Sequence, residues 1–146
     1  MMGFDASAKQ AILYDAGAEA FTGTTLEGIG QAVLGVLQQP EATANRFVRV
    51  LSIDTSQNEL LAAFEAVTGA AWAVERSTVA ALLEDARARL RDGRGGWVLP
   101  LAVSILFEPG EARGRVAPSR AESESDLLGV RAESAEEIVR KVLGQG

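Results

Sequence analysis

The stretch Phe21-Thr22-Gly23-Thr24-Thr25-Leu26-Glu27-Gly28-Ile29-Gly30-Gln31-Ala32-Val33 runs through Pro40-Glu41-Ala42-Thr43-Ala44-Asn45 into Phe47-Val48-Arg49-Val50-Leu51-Ser52-Ile53. Thr24 with Glu27 three residues on has the spacing of a capping box, and Leu26, Ile29, Val33 and Leu37 then recur at helical intervals until Pro40. This predicts a strand-to-helix junction followed by a helix. Gly28, Gly30 and Gly35 each cost such a helix roughly 1 kcal/mol against Ala, so close backbone packing against a sheet is expected to compensate. Residues 47–53 are nearly continuous in apolar character, which predicts a strand covered on both faces, as in a parallel sheet. Such a strand needs parallel neighbours. The sequence shows no alternation of strands and helices to supply them, so residues 47–53 are expected to be the last strand of a sheet encoded elsewhere.

Outward from that stretch, Ala11-Ile12-Leu13-Tyr14 reads as a short strand bounded by Asp15-Ala16-Gly17, with residues 20–22 pairing back as a hairpin. Ser56 and Glu59 form a second capping box, followed by Leu60, Leu61, Phe64 and Val67 and stopped by Gly69. Residues 72–75 read as an edge strand. Ser77 or Thr78 caps a helix with Val79, Leu82, Leu83, Ala86 and Leu90 inward, ending at Gly93. Arg94-Gly95-Gly96 is a break before the apolar residues 97–107, where Pro100 fits the first turn of a helix. Residues 108–124 read as loop, and Ser134 with Glu137 caps a final helix. Glu122, Glu124 and Asp126 are expected near the start of a short helix, where the macrodipole favours acids.

The wording of this central stretch resembles the NmrA-like and isoflavone reductase-like family, atypical relatives of the short-chain dehydrogenases. Thr55-Ser56-Gln57-Asn58-Glu59-Leu60-Leu61, Val67-Thr68-Gly69 followed by Trp72, and Asp126-Leu127-Leu128-Gly129 resemble further family motifs in the same order, over nearly the whole chain. Family members often carry Asp-Ile-Gly in the first helix; Gly28 stands at the place of that Asp. The resemblance implies the C-terminal, substrate-side lobe of an α/β NAD(P)-binding Rossmann-type protein, α+β as an isolated chain. Residues 1–146 are then a single lobe, with the nucleotide-binding N-terminal domain absent. The NAD(P) of the full-length family has no site here.

At 146 residues the chain is the size of one ordinary domain. Its net charge of −6 and lack of a basic stripe argue against nucleic acid. Positive charge is nearly all Arg, with Lys only at Lys9 and Lys141. Without cysteine, disulfides, thiolate metal sites and thiol catalysis are excluded. Without histidine, Ser-His-Asp and Cys-His mechanisms and the commonest metal ligand go too. No metal site is expected. No secretory leader is visible, and residues 97–107 are too short to span a bilayer, which takes about 20 residues. The expectation is a cytoplasmic protein without a membrane partner.

Gly28-Ile29-Gly30 followed by Val33 is a near miss to the dinucleotide fingerprint, and fails because its glycines fall inside a helix rather than in a strand-to-helix turn. Tyr14 is the only tyrosine and has Ala18, not Lys, four residues on, so the short-chain dehydrogenase pair is absent. Ser52 and Ser104 lack a base and read as hydrogen-bonded core or cap residues. Arg87, Arg89, Arg91 and Arg94 lie among Glu84, Asp85 and Asp92 as a solvated helix face. The best ligand surface joins Thr22, Thr24 and Thr25 to Asp54 and Gln57, beyond a strand's carboxyl end, with Trp97, Leu101 and Phe107 closing over it. Catalytic residues are not identifiable.

Function then follows the resemblance: the small-metabolite-binding part of an NAD(P)-dependent isoflavone reductase-like oxidoreductase, expected to lack dehydrogenase activity by itself. Two alternatives stand beside it. One is a stand-alone, cofactor-free cyclase or isomerase of secondary metabolism. The other is a non-catalytic binding or assembly protein, whose exposed sheet edge docks a partner or a second copy.

Overall fold

A computed structural model describes residues 2–110 and 113–144. Among the described residues five strands and six α-helices follow one another, in a mixed α+β chain: β1 (Phe4–Asp5), β2 (Gln10–Tyr14), β3 (Phe21–Gly23), α1 (Leu26–Gln38), α2 (Pro40–Thr43), β4 (Ile53–Thr55), α3 (Gln57–Thr68), β5 (Ala73–Ser77), α4 (Val79–Arg91), α5 (Val98–Leu106) and α6 (Ala135–Val142). They divide into two compact units. The first comprises the described parts of Met1–Phe21 and Ser56–Gly114, the second those of Thr22–Thr55 and Arg115–Gly146. No helix among the described residues is long and apolar enough to cross a membrane.

The first unit is built on a three-stranded sheet of order β1-β2-β5. β1 runs antiparallel to β2, with Phe4 opposite Ala11, and β5 runs parallel to it, with Gln10 opposite Ala73 and Tyr14 opposite Ser77. A parallel pair therefore does exist in the chain, from residues 63 positions apart that no local pattern joins. The expected hairpin from residues 11–14 to 20–22 does not form. Asp15 turns the chain away with φ 51° and accepts a hydrogen bond from the Val79 amide at 3.2 Å, fixing the start of α4 instead. β3 pairs with β4, where the Ser52 amide donates to the Gly23 carbonyl at 2.8 Å.

Ser56 and Glu59 close the capping box of α3, and Gly69 ends it in the left-handed region, where a side chain would be strained. Phe64 from α3 stacks on Phe4 at 5.3 Å and lies 4.5 Å from Trp72, a centroid spacing at which aromatic pairs add to simple burial. A second core gathers Phe21, Val79, Val103 and Phe107, with Tyr14 and Leu60 against it. Of the residues expected to face inward on α4, Val79 and Ala86 are buried, whereas Leu90 is about half exposed. Thr78, not Ser77, caps that helix, and its arginines pair as a solvated face would: Arg89 with Asp85 at 2.8 Å, Arg91 with Glu84 at 2.9 Å.

In the second unit the expected strand at residues 47–53 is corrected. Only Ile53 onward is strand, and of residues 47–52 it is Ser52, next to β4, that bonds to β3. Nor are both faces covered: Phe47 is 98% exposed and Arg49 faces water, while Val48 and Val50 pack against Ala32, Leu128 and Val130. Several of its backbone groups nevertheless have partners. The Arg49 amide donates to Glu124 Oε2 at 2.7 Å and the Leu51 amide to Ser125 Oγ at 2.9 Å. The Glu124 amide donates to the Arg49 carbonyl, Thr24 Oγ1 to that of Val50, and Arg120 Nη1 to that of Leu51. Side chains, together with the Glu124 amide, take places that a neighbouring strand would fill, so the groups they bond are not left unpaired on burial. Glu122, Glu124 and Asp126 accordingly do not start a helix: Arg120–Glu122 is a single 3-10 turn, Glu124 is bound to the 47–52 segment and to Arg46, and Asp126 pairs with Arg120. Glu111 and Ala112, in the expected loop, lie outside the described residues.

Candidate functional site

The cap of α1 is Thr25, not Thr24. Thr25 Oγ1 accepts from the Gly28 amide at 3.1 Å, and because its third helical residue is Gly28 no capping box can form. Thr24 uses its hydroxyl on Val50, and Glu27 turns to Lys141 Nζ at 2.6 Å. Gly28 and Gly35 are explained by close approach, though not to a sheet: a Cβ would overlap Ser52 Oγ at the first and the Leu128 backbone at the second.

At this helix start lies the most concentrated group of charges in the second unit. Glu133, whose side chain is 3% exposed, accepts from Thr25 Oγ1 at 2.5 Å and from Lys141 Nζ at 2.7 Å. Its amide donates to the Ser52 carbonyl at 2.8 Å. Burial pushes its acidity down most strongly, but the hydrogen bonds from Lys141 and Thr25 and the Lys141 charge together outweigh burial and hold the carboxyl below its ordinary range. Lys141 is raised in turn, first by its bond to Glu133 and then by that to Glu27. Next to it, Ser134 caps α6 with a full capping box, and the Ser134 amide, then Arg131, lower Glu137 to about 2. A carboxylate capped at both oxygens and held ionised has no proton to give at neutral pH. Glu133 is a structural hub that ties α1 to α6.

That hub was not singled out from the sequence. Its one legible signal is Lys141, one of two lysines in an arginine-rich chain: a compact ammonium with three donors can bridge carboxylates lying in different directions, which the planar guanidinium does less well.

The eight expected pocket residues fall in both units. In the second, Thr22 Oγ1 accepts from the Val116 amide at 3.0 Å, Thr24 and Thr25 are used as above, and Asp54 pairs with Arg115 at 2.9 Å. In the first, Gln57 is 1% exposed and fully engaged, accepting from the Tyr14 amide at 2.9 Å and donating to the carbonyls of Met2 and Ile12 at 3.1 Å. It braces β2 from within. Phe107 stacks on Tyr14 at 5.9 Å and meets Phe21 edge-on at 5.4 Å, as a core residue does. Tyr14 brings Gln57 and Phe107 together, one at its backbone and one at its ring. Trp97 and Leu101 are half-buried on and beside the first turn of α5. Ser104 donates to the Leu101 carbonyl at 2.7 Å and Ser52 is 2% exposed beside Thr25, so both serines are hydrogen-bonded core groups.

A groove of about 240 Å³ in the first unit is lined by Gln10, Ala11, Ile12, Ala73, Val74 and Glu75. Burial, then the Glu75 charge, raises the Tyr14 phenol, which stays protonated at neutral pH. Among the described residues no cluster of His, Cys, Asp and Glu could hold a metal ion. The Gly28-Ile29-Gly30 near-fingerprint offers no phosphate-binding turn: both glycines lie within α1, and the Gly28 and Ile29 amides are spent on Thr25.

No family model matches the chain. It is 56% identical over 143 residues to the oxidoreductase poxI of Penicillium oxalicum, a match that takes in 98% of this chain and 46% of that protein. It is 34% identical over 74 residues to the oxidoreductase aprR of Aspergillus flavus, over 51% of this chain and 25% of that one. The fold is similar to that of a nucleoside-diphosphate-sugar epimerase from Staphylococcus aureus, with a TM-score of 0.60 at 16% identity, covering 92% of this chain and 44% of the other. The chain is thus a relative of fungal proteins named oxidoreductases, with part of a Rossmann-like epimerase fold. It spans about half the length of the first of these relatives.

Proposed function

We propose that this chain is the small-metabolite-binding part of an NAD(P)-dependent, isoflavone reductase-like oxidoreductase of the NmrA-like kind, and that it has no dehydrogenase activity by itself. The observation that carries this reading is the 56% identity to an oxidoreductase of which the chain matches less than half. The helical placement of Gly28 and Gly30, and Tyr14 without a lysine partner, support assigning the cofactor to the part this chain does not match. Of the eight expected positions, Trp97 and Leu101 are the ones we carry forward as metabolite-facing, because Thr25, Gln57 and Phe107 are taken up by the frame.

Calorimetric titration of the purified chain with NADPH tests the assignment. No saturable binding is expected. A single micromolar site would overturn it.

A further inference from the structure

The helix α1 is amphipathic in an inverted sense. Its buried side is made of Gly28, Ala32 and Gly35, and its large apolar groups face water: Leu26 is 88% and Leu37 73% exposed, with Ile29, Val33 and Leu34 about half exposed. At roughly 100° per residue these five fall within an arc of about 140°, the width of a face that a helix normally buries. Gly30 sits inside that arc. Its absent Cβ would meet nothing within 4 Å, so unlike Gly28 and Gly35 it has no explanation within the chain, yet a glycine there weakens the helix. Glycine inside an apolar face is what close approach of another backbone requires.

We propose that this face is the docking surface for the part of the longer Penicillium oxidoreductase that this chain does not match, with Gly30 at the closest backbone approach. The inference rests on the oxidoreductase reading for the identity of the partner. The match to the Penicillium relative uses 98% of this chain and leaves more than half of that protein unaccounted for, so nothing within the matched module supplies the cover. The epimerase fold is likewise covered over only 44% of its length. A surface of five contiguous large apolar side chains is the kind that marks a protein contact rather than a solvated helix.

The test fuses the unmatched part of the Penicillium oxidoreductase to this chain through a protease-cleavable linker and follows the cleaved pieces by size exclusion with light scattering. The two pieces are expected to stay together as a 1:1 complex. Val33→Glu and Gly30→Leu are expected to weaken that complex at least tenfold, with circular dichroism confirming that each variant folds, while Arg87→Glu on α4 leaves it intact. Gly30→Ala should raise the Tm of the chain alone. Pieces that separate, or a complex indifferent to both α1 variants, would overturn the proposal. So would a homodimer of the chain that Val33→Glu dissolves, since the occupant would then be a second copy. NADPH oxidation by the intact complex is read separately: an inert complex that still depends on Val33 and Gly30 leaves the docking face standing and counts against the oxidoreductase reading.

Discussion

In the first unit β2 has a strand on each side, and its backbone is satisfied by β1 and β5 in register. In the second, residues 47–52 have the composition of such a strand but take their hydrogen bonds from Glu124, Ser125, Thr24 and Arg120. The cores differ in the same way. Stacked and edge-on rings of Tyr14, Phe21 and Phe107 fill the first, whereas the second unites a small apolar cluster around Ala32 with a buried charge at Glu133. Apolar residues tell whether a segment is buried, but not whether backbone or side chains complete its hydrogen bonds. A ladder tolerates changes of side chain; a set of side-chain substitutes does not.

The difference can be broken most forcefully at Phe107. Phe107→Ala removes a ring shared by Tyr14 and Phe21 and should cost about 4 kcal/mol. Hydrogen exchange should show the protection of β2 and β5 lost while that of α6 persists. Equal loss in both units would mean that they unfold as one.

A smaller effect is expected at the charge hub. Glu133→Gln leaves Lys141 without its buried partner, and because Lys141 remains 40% exposed and keeps Glu27 the loss should be smaller than that of breaking a fully buried pair and smaller than that at Phe107. The hub also predicts a pH dependence in the second unit. Glu133 and Glu137 have folded pKa values below the ordinary one, so their contribution is complete above about pH 4.5 and drains away as pH falls through the folded values, to about 2 for Glu137. Denaturant midpoints measured from pH 6 to pH 3 should fall for the native chain and fall less for Glu133→Gln.

The smallest expected effect separates two adjacent threonines. Thr25→Ala removes the cap of α1 and should cost about 1 kcal/mol, while Thr24→Ala removes a single hydroxyl bond to Val50 and should cost less. Unfolding midpoints in the opposite order would return the cap to Thr24.

The places where the sequence misled share one cause. Thr24 with Glu27 satisfies the capping-box spacing as well as any pair, but Ser52, Glu133 and Lys141 draw Thr25 and Glu27 into other bonds. Gln57 reads in the sequence as a polar group beyond a strand end, and in the fold its side chain braces β2.

By itself, the sequence determined what is settled within one helical turn: the capping boxes at Ser56 and Ser134, the stop at Gly69, the paired charges along α4 and the helical, non-fingerprint setting of Gly28 and Gly30. They rest on single residues or on neighbours such as the capping-box pairs, three apart, and Asp85 with Arg89, four apart, whose geometry the backbone fixes without reference to the remainder of the chain. Only the tertiary structure decided that residues 47–52 are not a strand, that β2 pairs with β5, and that Lys141 bridges Glu27 and Glu133. Those outcomes join positions as many as 114 residues apart, where competing partners for one donor or acceptor are ranked by the packing that brings them within reach.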